Sequence, residues 1–215
     1  MIWHRPCPCK VSHNSLPLRM DYTETKVFIV SAPSGAGKTT LVSALLGRFD
    51  GFAFSVSATT RPPRSYEQEG VHYYFIDVDT FRSKVADDEF LEWEEVYEGR
   101  YYGTLKSEVD RILQKGKNPI FDVDVEGGIN IKRHYGAQAV AIFIKPPRPE
   151  VLRERLVARK SEQPEEIERR YAKALRELGY EAQFDYVIVN DHLETAIAEI
   201  CGIVAKELNG VSMGE

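Results

Sequence analysis

Residues 27–40, VFIVSAPSGAGKTT, set an apolar, β-branched run directly before a glycine-rich loop ending in Gly37, Lys38 and Thr39. A strand feeding such a loop, with a helix opening at the lysine, builds a phosphate seat. Glycines let backbone N–H groups converge on phosphate oxygens, and the helix adds the positive end of its dipole. In the pattern G-x-x-x-x-G-K-[ST] the lysine, here Lys38, reaches the β- and γ-phosphates, and the hydroxyl, here Thr39, serves Mg²⁺. The seat is expected over Ala32, Pro33, Ser34, Gly35, Ala36, Gly37, Lys38, Thr39 and Thr40. Ala32 stands where the pattern asks for glycine, and alanine tolerates fewer backbone angles. The plainer reading is a glycine-rich turn with a surface lysine. The amphipathic continuation LVSALLGRF at 41–49 favours a bound nucleoside triphosphate instead.

Outward from the loop, strand-like and helix-like runs alternate. GFAFSVS (51–57) reads as a strand, and TTRPPRSYEQEG then breaks the pattern and opens an insertion. VHYYFIDV reads as a strand, DTFRSKVADD as a short helix, EFLEWEEVYEGRYYG as strand and turn, and TLKSEVDRILQKG as a helix, together a small α+β lobe. The main pattern resumes with NPIFDVDVEGG, a short helix to Tyr135, the strand QAVAIFIK and the segment PPRPEVLRERLVARK. A charged helix opened by Pro164, the strand FDYVIVND and a last helix HLETAIAEICGIVAKEL complete the chain. Strands alternating with helices predict an α/β fold: a three-layer α/β/α core around a parallel sheet, with the inserted lobe and a helical lid.

With 215 residues, 43% of them hydrophobic, the chain is long enough for one core with inserted lobes. A formal charge of −5 makes nucleic acid a poor partner, so a phosphate ligand must be held by local cations. No apolar run is long enough to cross a bilayer, and no membrane partner is expected. Cys7, Cys9 and Cys201 form an odd set suited to reduced thiols in the cytoplasm. His4 and His13 stand at irregular spacing beside the first two, and no structural metal is assigned. Residues 1–24 show no periodicity and are read as a disordered extension, with Met20 an alternative start.

The segment SVSATTRPPRSYEQEGVHYYFI (55–76) resembles the guanylate kinases. Thr59, Thr60, Arg61, Arg64, Glu67, Gly70 and Tyr73 fill that family's pattern, and FLEW, YYGT, DVD and IVND extend the likeness from about Lys26 to Leu208. The resemblance implies Mg²⁺-dependent transfer of a phosphoryl group from ATP to GMP by a domain spanning 25–210, with a GMP-binding lobe at 58–106 and a lid at 158–172. Two arginines three residues apart on a proline-stiffened turn, Arg61 and Arg64, suit a dianionic phosphate. The resemblance adds Tyr73 and Tyr102 there. Guanine presents adjacent N1–H and N2–H₂ donors that a carboxylate accepts in parallel, whereas adenine would leave that carboxylate unpaired. The FLEW match makes Glu92 this acid, and the resemblance implies hydroxyls near the base at Ser57 and Thr104; Glu94 and Glu95 read as surface charges.

Asp122 and Asp124 end a strand where an acid either caps the next helix or, as the resemblance implies, lines the acceptor and metal region. Arg155 and Arg159 lie one helical turn apart, and Arg170 follows; they suit either a salt-bridged surface or, by resemblance, a lid closing over ATP. Lys38, Arg61, Arg155, Arg159 and Arg170 are thus the catalytic candidates, Asn190 and Asp191 an adenine-side loop, and Thr39 the Mg²⁺ ligand. Two rivals remain at this point, a noncatalytic peptide-binding module of the same fold and a kinase for another phosphorylated acceptor. Composition is silent on oligomeric state.

Overall fold

The apolar run Val27–Ser31 is a strand, β1, buried on both faces, as the centre of a parallel sheet requires. The computed structural model describes residues 25–158 and 164–209, so the expectations for residues 1–24 and for Arg159 lie outside the described residues. After β1 come α1 (Lys38–Leu46), β2 (Phe52–Phe54), β3 (Ala58–Thr59), β4 (Tyr74–Phe75), α2 (Val78–Ala86), β5 (Phe90–Tyr97), β6 (Arg100–Leu105) and α3 (Lys106–Leu113). Then follow β7 (Asn118–Val123), α4 (Val125–Tyr135), β8 (Ala139–Lys145), α5 (Glu150–Ala158), α6 (Pro164–Leu178), β9 (Tyr186–Val189) and α7 (Leu193–Asn209).

The five-stranded sheet has the order β2-β7-β1-β8-β9, all neighbours parallel, with Phe28 opposite Ile120 on one side and Val140 on the other. Side chains alternate across it. Phe28, Val30 and Ile142 face Leu41 and Leu45 of α1 and Ile200 and Val204 of α7. Ile29, Phe121 and Phe143 face Val109 of α3 and Ile129 and Ile131 of α4. This is the expected three-layer core.

A second sheet, β4-β3-β6-β5, rises beside it, antiparallel except between β3 and β4. It packs on α2 through its own apolar cluster of Ala58, Phe81, Phe90 and Tyr101. Two expected strands are shorter than their sequence pattern. GFAFSVS is divided: β2 ends at Phe54, and the chain leaves the large sheet through Ser55–Ser57 to enter the small one at Ala58. VHYYFIDV keeps only Tyr74–Phe75: Gly70, at φ 68°, turns the chain just before it and donates its N–H to Tyr73 O, and at its other end Asp77 caps α2, which begins at Val78. Both sheets direct strand ends and loops into one cleft.

Candidate functional site

The loop between β1 and α1 takes its form from two glycines, Gly35 and Gly37, at φ 95° and 96°. A side chain at Gly37 would also collide with the Asn190 Nδ2. Ala32 avoids the left-handed region, since Asp88 is the only non-glycine with positive φ among the described residues. Alanine therefore serves where the motif asks for glycine. Gly37 caps α1 without a side-chain acceptor, whereas Asp77 and Asp124 accept N–H groups at the starts of α2 and α4. The first turn of α1 thus keeps its amide donors for an anion.

The loop floors a cavity of about 390 Å³, also lined by Ser57, Arg61, Arg64, Tyr73, Glu92 and Tyr102. Asp122, at the end of β7, pairs with Lys38 Nζ at 2.9 Å and accepts from Thr39 Oγ1 at 2.9 Å. Burial pushes the Lys38 ammonium down, but the Asp122 carboxylate more than offsets it, and the pKa is raised. Thr39 and Asp122 together present hard oxygen atoms beside the phosphate seat. That donor set suits Mg²⁺, which takes one or two protein oxygens and completes its shell with water and substrate phosphates.

At the other end of the cavity the small sheet supplies its groups. Arg61 donates from both terminal nitrogens to Glu67, each at 2.6 Å, from Nε to the Tyr102 hydroxyl at 3.1 Å, and lies over the Tyr73 ring. Hydrogen bonding to Arg61 holds the Glu67 carboxyl down at about 2. The guanidinium is thereby fixed before any ligand arrives, while Arg64 stays exposed. Glu92 accepts from the Thr104 hydroxyl at 2.7 Å, and burial pushes its carboxyl up to about 7. A Cβ on residue 127 would sit 2.9 Å from its Oε2, so glycine there leaves the carboxylate in its present place.

The structure brings most of the anticipated residues to this cavity and corrects one reading. Glu94, taken from sequence as a surface charge, lines the cavity half-buried, paired with Lys173 at 3.2 Å; burial pushes its carboxyl up to about 8. Glu95 is exposed and accepts from Gly99 N–H. Arg170 lines the cavity and donates to Ser34 Oγ. Arg155, Asn190, Asp191 and Thr104 do not line it. Arg155 donates to Ala36 O and Asn190 O, and Asn190 Nδ2 donates to Ala36 O at 2.7 Å, so this pair braces the phosphate loop from behind. Asp191 is exposed. Lys173, Glu166 and Glu177, which no sequence motif marks, also line the cavity from α6.

The sequence model of the family named Guanylate kinase matches residues 24–207. A guanylate kinase of Bacteroides fragilis is 52% identical over 188 residues, covering 87% of this chain and 92% of that protein. One from Porphyromonas gingivalis is 50% identical over 183 residues, covering 85% of this chain and 97% of that protein. The crystal structure of guanylate kinase from Anaplasma phagocytophilum superposes with a TM-score of 0.68 at 29% identity, over 86% of each chain.

Proposed function

We propose a division of the cavity between two nucleotides, on the premise that this chain belongs to the guanylate kinase family and is an ATP:GMP phosphotransferase. The loop of residues 32–40 takes the ATP phosphates, with Lys38 on the β- and γ-oxygens. GMP lies against the small sheet, its phosphate on Arg61, Arg64, Tyr73 and Tyr102, its base on Glu92 with Ser57 and Thr104. The lobe at 58–106 is accordingly the GMP-binding part, and the segment 158–172, of which residues 159–163 are outside the described ones, is the lid bearing Arg170. The observation that carries this division is that a phosphate-loop lysine and a half-buried, guanine-matching carboxylate open into one cavity.

The acceptor phosphate is ionised near neutral pH, so the chain needs no general base. Its residues act by alignment and by supplying positive charge where the γ-phosphoryl moves in line to GMP. Lys38 and Arg170 stand on the donor side, and Arg61, already oriented by Glu67, on the acceptor side. Thr39 and Asp122 would hold Mg²⁺, which when bound neutralises charge on the β- and γ-oxygens. Asp122 meets Lys38 through Oδ1 and the Thr39 hydroxyl through Oδ2. We assign the reaction to the cytoplasm; no helix among the described residues is long and apolar enough to cross a membrane.

The test is ADP formation from ATP and Mg²⁺ with GMP, AMP, CMP and UMP offered separately. GMP alone should support turnover, Lys38→Ala should depress transfer with GMP still bound, and Glu92→Ala should weaken discrimination between GMP and AMP. Unchanged rates and selectivity in both variants would overturn the residue assignments.

A further inference from the structure

Helix α6 carries Glu166, Arg170, Lys173 and Glu177 at spacings of four, three and four, which form one stripe along the helix, and all four line the cavity. The stripe reaches both ends of the site. Arg170 donates to Ser34 in the phosphate loop. One turn further on, Lys173 Nζ lies 3.2 Å from Glu94 Oε1 on β5 and 3.3 Å from Asp124 Oδ2 after β7. Glu94 is two residues from Glu92, so the two carboxylates leave the same face of β5. A single helix therefore touches the loop that takes the donor and the strand that presents the acceptor's base-reading acid.

Glu94, Asp124 and, at 3.7 Å, Glu177 converge on the one ammonium of Lys173 in a half-buried cleft, and their attraction outweighs its lost hydration, so its pKa is raised. Glu94 also meets Asp124 directly: burial and the neighbouring carboxylate keep the proton on Glu94, and the hydrogen bond it makes to Asp124 helps hold the Asp124 carboxyl down. What the group supplies is position: Asp124 is fixed by the Gly127 N–H at the start of α4, so Lys173 ties α6 and β5 to the rigid core.

We propose that Lys173 is a positioning residue that couples the two substrate sites: it holds the acceptor strand to α6 through Glu94, while Arg170 holds α6 to the phosphate loop, so that filling either site favours the binding geometry of the other. The proposal rests on the division of the cavity given above. Coupling of this kind is reciprocal, and GMP must improve the binding of ATP by the same factor.

Calorimetry would measure the Kd of GMP alone and with a saturating, nonhydrolysable ATP analogue and Mg²⁺, for the wild type, Lys173→Met, Lys173→Arg, Glu94→Gln and the Lys173→Met/Glu94→Gln double variant. In the wild type the analogue should tighten GMP at least ~5-fold, the lower end of usual couplings. Lys173→Met and Glu94→Gln should each bring that ratio close to one, the double variant should go no further, and Lys173→Arg should retain most of it. The analogue's own Kd should stay within about twofold throughout, which separates lost coupling from a damaged phosphate loop. A wild-type ratio of one, or a full ratio in both Lys173→Met and Glu94→Gln, overturns the proposal. A wild type that binds neither nucleotide overturns the division of the cavity as well.

Discussion

A missing methyl group decides where Glu92 sits. Because a Cβ on residue 127 would come within 2.9 Å of Glu92 Oε2, Gly127→Ala should displace the carboxylate and raise the KM for GMP about tenfold, or about 1.4 kcal/mol, with the KM for ATP unchanged in steady-state assays. Burial raises the Glu92 carboxyl to about 7, and the form that pairs with guanine is the ionised one. The KM for GMP should therefore climb as pH falls through 7, and Glu92→Gln should remove that limb of the profile, leaving the ionisation of the GMP phosphate itself. The same shift means that the unliganded fold holds this proton where the unfolded chain has lost it, so Glu92 makes the protein less stable as pH rises from about 4.5 to 7. Glu67 has the opposite sign. Held down at about 2 by Arg61, it contributes stability fully present above about 4.5 and lost as pH falls toward 2. Urea titrations of the wild type against Glu67→Gln at stepped pH should show the gap between them closing over that interval.

Elements differ in how openly the sequence declares them. The phosphate loop is legible because its chemistry is local: strand, glycines, lysine and hydroxyl stand within fourteen consecutive residues, 27–40. The strands of the core are legible because both of their faces are apolar. The stripe on α6 is not, since a charged residue facing a polar cavity has the same composition as one facing water; only the fold shows that Lys173 meets Glu94. For the same reason Glu94 passes for a surface acid, and no local pattern sets it apart from Glu95. β4 is shorter than its apolar run because a turn at Gly70 precedes it and the cap of α2 at Asp77 ends it. Helix α2 is both legible and testable. Asp77 accepts the Thr80 N–H at 2.7 Å as its cap, and Phe81 on that helix is fully buried against the small sheet. Asp77→Ala should lower the midpoint of urea unfolding, and an unchanged midpoint would mean that solvent replaces the cap.

On the scale of the whole molecule, two bodies of unequal core share one cavity. The large sheet is packed on both faces, while the small sheet relies on the cluster around Phe81, Phe90 and Tyr101. Amides of β3–β6 should exchange with solvent through smaller openings than those of β1, β7 and β8, and GMP should slow them selectively; uniform protection by hydrogen exchange would contradict this. The strand order has a further consequence, for synthesis. β1 is translated before its neighbours, yet Phe28 has no partner until Ile120 and Val140 are made. At roughly 5–20 residues per second, that is a wait on the order of ten seconds. The loop's Ala36 carbonyl gains its brace only when Arg155 and Asn190 have followed. A chain still on the ribosome therefore carries the loop between β1 and α1 unsupported, and on the proposed division of the cavity a firm hold on the donor nucleotide comes only after the lobe proposed for the acceptor has been made.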